Sequence, residues 1–255
     1  PIMKLARERK ITVVEDAAHA FGASYRGKMI GTVGHFGAFS FHEVKNVTSF
    51  GEGGLLTTDL SFGKDFALAR FVGLDPAMKI PTWLYDVRTL KGAGGPFVPS
   101  NHSATEIQAL VLLLQMKRIR KIIEIRRRHA AYLTKRFAGE PAIVPQLMDT
   151  KDAKSTYHLY LLQLDPSKLK GDIQTFKEKI AAKGVVQIPH FAPLYKFSMM
   201  RQLGYDTAAI EKSCPVAEEA FRHRFTHLPL YPLTDGQVAY MADAVLETVA
   251  EMKRR

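Results

Sequence analysis

The chain has 255 residues, of which 46% are hydrophobic and 24% are charged, and its formal net charge at pH 7 is +11. This is the composition of a globular protein with one large domain or two smaller ones. No apolar run approaches the length of a membrane span, and the first residues lack a signal-peptide pattern. The single cysteine excludes an intramolecular disulfide and a multi-cysteine metal site. We therefore expect a cytoplasmic protein with no membrane partner and no metal.

The positive charge is compatible with binding either nucleic acid or phosphorylated small molecules. One basic cluster, "RIRKIIEIRRRH" at residues 118–129, has isoleucines at helical spacing. That spacing favours the solvated face of an amphipathic helix. Because the chain has no zinc-finger pattern, RNA-binding aromatic signature or basic tail, we predict no nucleic-acid partner.

The first half of the chain alternates between helical and strand patterns. "PIMKLARERK" reads as the end of a helix, and "ITVVED" as a parallel strand buried on both faces. "HFGAFSF" and "GGLLTTD" are predicted to be two further strands. This alternation is typical of an α/β sheet.

The second half begins with a long helix over residues 103–137, with room for one break, whose start we place at a capping box of Ser103 and Glu106. "TYHLYLLQL" alternates like a strand, and "GDIQTFKEKIAAKG" reads as a helix closed by Gly184. "VVQIPHF" is predicted to be a strand, and the last helix opens on the capping-box pair Thr234 and Gln237. The sequence therefore predicts two domains, an α/β domain over residues 1–120 and a smaller α+β domain over residues 121–255.

Three polar side chains lie near the predicted strand ends of the first half. Asp16 closes "ITVVED", while Ser40 and Lys45 lie at and after the end of "HFGAFSF". Residues at the carboxyl ends of parallel strands face the ligand crevice of an α/β sheet. Considered alone, Asp16 is equally well explained as a helix N-cap and Lys45 as a solvated surface charge.

Together these three side chains meet the chemical requirements of pyridoxal 5'-phosphate. A partly desolvated lysine amine forms a Schiff base with the aldehyde of the cofactor. A carboxylate keeps the pyridinium nitrogen protonated, so that the ring acts as an electron sink. A hydroxyl group binds the phosphate.

The run "VVEDAAHAFGASYRGKMIGTVGHFGAFSFHEVKNVTSFGEGGLLTTD" closely resembles the DegT/StrS-type nucleotide-sugar aminotransferases, which are fold type I pyridoxal-phosphate enzymes. Further similar pieces follow in order: "EIQALVLLLQ", "IPHFAPLY", "CPVAEEAF" and "LPLYPLTDGQV". The ordered set spans essentially the whole chain, which makes it far more specific than any single piece.

The resemblance implies a role for each matching residue. Asp16 matches the partner of the pyridine nitrogen, and His19 matches a position that contacts the cofactor ring. Ser40 matches a phosphate ligand, and Lys45 the Schiff-base lysine. A related sugar dehydratase subgroup has histidine at the position of Lys45, so lysine here favours amino transfer.

Two more distant residues are implied by weaker matches. Asn101 corresponds to an asparagine that reaches the cofactor phosphate of the neighbouring subunit, and His190 to a residue near the substrate. The stretch "KIPTWLYDVRTLKGAGGPFVPS" departs from the common pattern of the family. Three side chains also have purely structural interpretations. His19 and His42 would be histidines of a core or a strand end, and Glu52 would be a turn residue between glycines.

Chains of this family begin well before "PIMKLARERK", with a Gly-Thr phosphate-binding turn, a ring-stacking aromatic residue and several strands of the large sheet. We therefore expect a large domain of PLP fold type I, with a mostly parallel sheet that is incomplete at the N-terminus, and a smaller α+β C-terminal domain. Without those upstream strands, "ITVVED" would lose a pairing neighbour and expose an apolar edge.

The implied function is the transfer of an amino group from an amino-acid donor, expected to be glutamate, to a nucleotide-linked keto sugar. Sugar dehydration by the same cofactor and a truncated, non-catalytic relative are the alternatives. The family also implies a homodimer whose sites contain residues of both chains. The long loop at residues 82–102, with Trp83, Tyr85 and Phe97, has the exposed aromatic character of an interface.

Overall fold

The computed structural model describes residues 1–75, 77–78, 86–144, 146 and 149–253. The chain divides into two compact units, Pro1–Arg120 with Asp152–Lys154, and Lys121–Lys151 with Ser155–Arg255. Two residues of the predicted interface loop, Trp83 and Tyr85, lie outside the described residues.

In the described residues, the α-helices are α1 (Ile2–Arg9), α2 (Phe66–Arg70), α3 (Glu106–Phe137), α4 (Ile173–Ala182), α5 (Ser198–Gln202), α6 (Thr207–Ser213), α7 (Pro215–Glu219) and α8 (Asp235–Met252). The strands are β1 (Val14–Asp16), β2 (Ser24–Tyr25), β3 (Lys28–Met29), β4 (Phe36–Ser40), β5 (Gly54–Thr58), β6 (Leu74–Asp75), β7 (Asp86–Val87), β8 (Leu90–Gly92), β9 (Gly95–Phe97), β10 (Ile143–Val144), β11 (Ala153–Lys154), β12 (Tyr160–Leu164) and β13 (Phe225–Leu228).

The first unit contains a sheet with the strand order β1-β4-β5. Strands β1 and β4 are parallel, with Val14 opposite Phe36 and Asp16 opposite Ala38. Strands β4 and β5 are antiparallel, with Ser40 opposite Gly54. The predicted strands "HFGAFSF" and "GGLLTTD" are therefore confirmed, and one of the two pairings in this sheet is parallel.

The prediction that "ITVVED" is buried on both faces is wrong. Strand β1 covers only its last three residues, and Val14 is 60% exposed. In the described part of the chain β1 pairs with β4 alone, so its other edge has no strand beside it. Few apolar side chains are buried among the described residues of the first unit: Ala6, Ala17, Ala23, Phe41, Val47 and Leu68.

The second unit has a larger core built around the antiparallel sheet β10-β12-β13. Tyr160, Leu162 and Leu164 alternate with half-exposed residues along β12 and are almost completely buried. They join one apolar cluster with side chains of α3, α4 and α8, such as Leu133 and Phe176. Burial of each large aliphatic or aromatic side chain contributes about 1.5–3 kcal/mol.

The helix boundaries confirm some sequence predictions and correct others. Helix α8 begins with the predicted capping box of Thr234 and Gln237. The long helix α3 is unbroken and starts at Glu106, so Ser103 and Glu106 do not form its capping box. The reciprocal hydrogen bonds instead join Thr105 and Gln108, which have the same i, i+3 spacing in "SATEIQ".

The segment "VVQIPHF" does not form a strand: only an isolated bridge between Ile188 and His227 is present. The basic cluster at residues 118–129 is also not simply a solvated face, because Arg126 is 5% and His129 2% exposed. Arg126 donates to the carbonyl oxygen of His158, and the two ring nitrogens of His129 contact the Leu230 carbonyl and the Asp235 carboxylate. Two backbone carbonyls and the Asp235 carboxylate thus give these buried side chains hydrogen-bond partners, while Arg126 Nε is buried without one among the described residues.

Glu218, at α7, holds several short elements of the second unit together. Its carboxylate accepts hydrogen bonds from the Tyr195 hydroxyl at 2.8 Å and from Arg222 Nε at 2.9 Å, and Lys196 Nζ lies at 2.9 Å. Burial alone would raise the pKa of Glu218, but its hydrogen bonds with Lys196, Tyr195 and Arg222 lower that pKa from 4.5 to about 2. Glu218 is therefore more acidic in the folded protein than in the unfolded chain.

A group with a depressed folded-state pKa stabilises the protein above its unfolded pKa, and this contribution is lost as the pH falls towards the folded value. We expect Glu218→Gln to lower the free energy of unfolding at pH 7, and the difference from wild type to shrink between pH 4.5 and about 2. Urea unfolding at several pH values measures this difference. The control is Glu219→Gln, because the half-exposed Glu219 makes a longer, 3.5 Å ion pair with Arg224. A wild-type-minus-variant difference that did not change with pH would contradict the assignment.

Candidate active site

The parallel pairing of β1 and β4 brings Asp16 and Ser40 to the same edge of the sheet. Asp16 is the last residue of β1 and lies opposite Ala38, two positions before Ser40 at the end of β4. The amide of Ala17 continues the pairing by donating to the Ala38 carbonyl at 2.8 Å. The Asp16 side chain accepts a hydrogen bond from the Ala18 amide at 3.1 Å and remains exposed. Both residues therefore occupy the carboxyl ends of neighbouring parallel strands, as predicted.

Lys45 is half-buried and lies in the loop that connects β4 with β5. Hydrogen bonds close the base of this loop, from the Phe41 amide to the Gly53 carbonyl at 2.7 Å and from the Glu43 amide to the Gly51 carbonyl at 2.8 Å. The Lys45 amide itself donates to the His42 carbonyl at 3.0 Å. The lysine is thus held on a closed loop that directly follows Ser40, and it is not a freely solvated surface residue.

His19 provides electrostatic evidence that Asp16 and Lys45 lie close together. Burial of the imidazole ring lowers the pKa of His19, and the positive charge of Lys45 lowers this pKa further. The carboxylate of Asp16 acts in the opposite direction. Both charges are therefore close enough to His19 to alter its protonation, and the ring is mainly neutral at pH 7.

The segment that carries His19 is also attached to the lysine loop. The Asn46 side chain donates to the Phe21 carbonyl at 3.4 Å, and Asn46 is buried. The Phe21 ring makes edge-to-face contacts with Phe39 and Phe41, with both centroid distances at 5.4 Å. These contacts join the residues after β1 to the residues around the end of β4.

Glu15 anchors a turn against β1. Its carboxylate accepts three backbone hydrogen bonds, from Gly31 at 2.9 Å, Val33 at 2.7 Å and Gly34 at 2.6 Å. This turn lies directly against β4, because a Cβ atom at Gly37 would come within 2.2 Å of the Gly31 carbonyl oxygen. Glu15 therefore fixes the approach of the turn to the strand pair that carries Asp16 and Ser40.

A second anchor holds the lysine loop at Glu52. The Glu52 carbonyl oxygen accepts hydrogen bonds from Gln108 Nε2 at 2.8 Å and from Ser49 Oγ at 2.9 Å. The Glu52 carboxylate lies 3.6 Å from His42 Nε2. Gln108 also accepts from the Thr105 amide at 2.8 Å, so the same side chain caps α3 and holds the loop.

The structure does not join Asn101 to this group through any contact between described residues. Asn101 is exposed, forms an isolated bridge with Phe71, and accepts a hydrogen bond from the Ser103 amide at 2.9 Å. It lies in the same unit as Lys45, whereas His190 belongs to the second unit. The predicted roles of Asn101 and His190 therefore remain predictions.

The His190 ring is surrounded by aromatic side chains. Its centroid lies 4.6 Å from that of Phe225, 5.2 Å from that of His227 and 6.0 Å from that of Phe221. Its Nδ1 atom is buried and has no hydrogen-bond partner among the described residues. Burial lowers the pKa of His190, and the charge of Lys177 lowers it further.

The sequence interpretation missed the residues that hold this site in place. Glu15, Asn46 and Ser49 make their contacts with backbone groups, which leave no pattern in the sequence. For Gln108, the spacing from Thr105 was a usable signal.

Among the described residues, no group of histidine, cysteine, aspartate and glutamate side chains is arranged to hold a metal ion. In the same part of the chain, no helix has the length and apolar character needed to cross a bilayer.

The model of the DegT/DnrJ/EryC1/StrS aminotransferase family matches residues 1–246, and the chain belongs to this family. An uncharacterized protein of Methanocaldococcus jannaschii is 32% identical over 98% of this chain and 63% of its own length. GDP-perosamine synthase of Caulobacter vibrioides is 30% identical over 85% of this chain and 54% of its own length. These matches confirm the family resemblance read from the sequence.

The fold is similar to that of a putative sugar aminotransferase from Streptococcus pneumoniae in its PMP form, with a TM-score of 0.80 and 27% identity. This similarity covers 94% of the present chain and 59% of that protein. This similarity confirms that the chain has the fold of the sugar aminotransferases, as the sequence predicts. The chain spans about 60% of the length of the relatives it matches.

The Gln108 side chain caps α3 and also donates to the Glu52 carbonyl, and one substitution can remove the second hydrogen bond while keeping the first. Gln108→Glu keeps the side-chain acceptor for Thr105 but removes the donor to the Glu52 carbonyl. Because one neutral hydrogen bond contributes about 1 kcal/mol, we expect amide exchange at Phe41, Glu43 and Ser49 to accelerate about fivefold. Hydrogen–deuterium exchange measures this directly.

Gln115→Glu changes the charge of the same helix without touching the loop and is the control. Unchanged protection of the three loop amides in Gln108→Glu would show that the hydrogen bond does not restrain the loop.

Proposed function

We propose that the protein is a pyridoxal-phosphate-dependent aminotransferase that transfers an amino group from an amino acid to a keto group of a nucleotide-linked sugar. The observation that carries this proposal is the grouping of Lys45, His19 and Asp16 beside Ser40, at the carboxyl ends of two parallel strands. A lysine, a carboxylate and a hydroxyl at such an edge are the groups that this cofactor needs.

The residues present fit pyridoxal phosphate. Lys45 is half-buried on a loop closed by hydrogen bonds, so its amine is presented in a restricted position. Asp16 keeps its carboxylate exposed at the strand end, and Ser40 is half-exposed beside it. When bound, the cofactor supplies an electron sink for the carbon next to the substrate nitrogen.

Each of these side chains has a role in the proposed chemistry. The Lys45 amine would hold the cofactor and, once freed by substrate, would act as the base that moves the proton released at the substrate α-carbon. The Asp16 carboxylate would keep the ring nitrogen protonated. Ser40 would offer its hydroxyl hydrogen to the phosphate group, and His19, whose pKa is lowered, would lie beside the cofactor without adding a charge.

The substrate class is supported by the names of similar proteins. GDP-perosamine synthase and UDP-4-amino-4,6-dideoxy-N-acetyl-beta-L-altrosamine transaminase both act on nucleotide-linked sugars by name. We propose a keto-sugar nucleotide as acceptor and glutamate as the amino donor. In this assignment, residues 1–120 belong to the cofactor-binding domain and residues 121–255 form the smaller domain, from which His190 contacts the substrate. The single cysteine is in keeping with a cytoplasmic location.

We further propose a homodimer in which Asn101 reaches the cofactor phosphate of the partner's site. The exposed side chains of the first unit support an association surface. Phe97, in the hairpin of β8 and β9, is 48% exposed, and Leu55 and Leu56 of β5 are similarly exposed. Exposed aromatic and aliphatic groups of this kind are enriched at protein interfaces.

Replacement of Lys45 tests the cofactor assignment. We expect Lys45→Ala to abolish the visible absorbance change that wild-type protein gives on adding pyridoxal phosphate, because no amine remains at the site. Transfer of label from ¹⁵N-glutamate to a keto-sugar nucleotide should fall by about 10²–10⁴-fold or more.

Lys28→Ala, which removes an exposed lysine of β3 in the same unit, should leave both signals intact. An unchanged absorbance response in Lys45→Ala would refute the assignment. If the wild-type protein instead removed a hydroxyl from the sugar without incorporating label, dehydration would replace amino transfer.

Subunit exchange tests the shared site. Lys45→Ala and Asn101→Ala proteins, each inactive alone, should regain part of the activity when mixed, because one of the two sites in a hybrid dimer carries neither substitution. Sedimentation velocity checks that dimers form and exchange. A monomer, or exchange without any recovery, would disprove the shared site.

A further inference from the structure

A cavity of about 460 Å³ lies in the second unit beside the first turns of α4. Its walls are formed by Asp172, Ile173, Gln174, Lys177, Lys196, Phe221, Arg222 and His223. Basic side chains outnumber acidic ones among these residues, since Asp172 is the only carboxylate that lines the cavity.

Two of the basic side chains already have counter-charges. Lys196 Nζ lies 3.1 Å from a carboxylate oxygen of Glu211 and 2.9 Å from one of Glu218. Arg222 pairs with the same two glutamates, at 3.0 Å and 2.9 Å. These four side chains balance one another in charge, and two of them, Lys196 and Arg222, line the cavity.

The Asp172 carboxylate is used to cap α4. It accepts hydrogen bonds from the amide and the hydroxyl of Thr175, both at 2.9 Å. Asp172 therefore satisfies the helix end, and no ion pair joins it to Lys177 among the described residues.

Lys177 is the cation of this cavity without a counter-charge. It is half-buried, makes no ion pair with any described residue, and burial lowers its pKa. Removing an ammonium group from water without a compensating charge is unfavourable. An anion bound in the cavity would compensate this cost, and the N-terminal end of α4 adds a favourable dipole.

A second unsatisfied polar group lies behind one wall of the cavity. Phe221 lines the cavity and contacts the His190 ring edge-on, with centroids 6.0 Å apart. Nδ1 of His190 is buried without a hydrogen-bond partner among the described residues. The influence of Lys177 on the protonation of His190 places the ammonium group near this ring. An unpaired cation and an unpaired imidazole nitrogen thus lie close together.

We propose that this cavity binds a diphosphate group, with Lys177 as its charge partner. The space is sufficient for a diphosphate with part of an attached group. That the diphosphate belongs to a nucleotide-linked sugar rests on the proposed function, whereas the anion site does not.

The test is a calorimetric titration of the full chain with uridine diphosphate, guanosine diphosphate and inorganic diphosphate. Lys177→Met should weaken binding of these anions about tenfold or more, because a hydrogen bond to a charged group contributes about 1.5–3 kcal/mol. Lys212→Met removes an exposed lysine of α6 in the same unit and should change the affinity less than about twofold. Lys177→Arg keeps the charge and should retain most of the affinity, which separates loss of charge from loss of folding.

Each result decides one part of the inference. Tighter binding of the nucleoside diphosphates than of inorganic diphosphate, lost in Lys177→Met, supports a nucleotide ester. Equal binding of all three anions, lost in Lys177→Met, retains the anion site and refutes the nucleotide. Absence of binding, or an equal loss in Lys212→Met, refutes the site.

The proposed function is tested separately on the same samples. The visible absorbance change with pyridoxal phosphate depends on Lys45 and should be unchanged in Lys177→Met. If diphosphate binding depends on Lys177 but the Lys45-dependent signal is absent from wild type, the cavity assignment stands and the aminotransferase proposal fails.

Discussion

The parallel pairing of β1 with β4 is the constraint on which the candidate active site depends. Only a parallel pair brings the carboxyl ends of two strands to one edge, and here those ends carry Asp16 and Ser40. Strands β1 and β4 pair over only a few residues, so contacts other than their own backbone hydrogen bonds are needed to fix their register. The three amide hydrogen bonds to Glu15 provide that support, because they attach the turn before β4 to the strand that ends at Asp16. A carboxylate with several amide donors is a strong local anchor.

In the proposed function, the reactive lysine must be restrained but must also be able to move when substrate replaces it. The loop between β4 and β5 meets both requirements, because its base is closed by backbone hydrogen bonds while Lys45 lies beyond that base. The contacts at Glu52 and Asn46 hold the loop through neutral hydrogen bonds to carbonyl groups. Such bonds position the backbone of the loop without adding a further charge of their own.

The sequence predicted those features that depend on residue type and order. Asp16, Ser40 and Lys45 could be assigned because strand ends are recognisable and the family motifs occur in order. Where two local patterns fit equally well, the sequence could not decide between them. "SATEIQ" contains two possible capping pairs, and the start of α3 at Glu106 shows that Thr105 and Gln108 form the one that caps the helix. The burial of Arg126 could not be predicted from the sequence either, because its hydrogen-bond partner is a backbone carbonyl 32 residues away along the chain. "VVQIPHF" has the composition of a strand, but only Ile188 finds a bridge partner there.

The two candidate sites differ in the charged groups that surround their lysines, Lys45 in the first unit and Lys177 in the second. In the first unit, Lys45 and Asp16 both act on His19, and they act on its pKa in opposite directions. In the second unit, Lys196 and Arg222 are balanced by two glutamates, whereas Lys177 has no such partner among the described residues. A cation left in this state lowers the stability of the folded chain and increases its affinity for an anion by the same interaction. The proposed diphosphate would supply the missing negative charge at Lys177, and its binding would then stabilise the folded second unit.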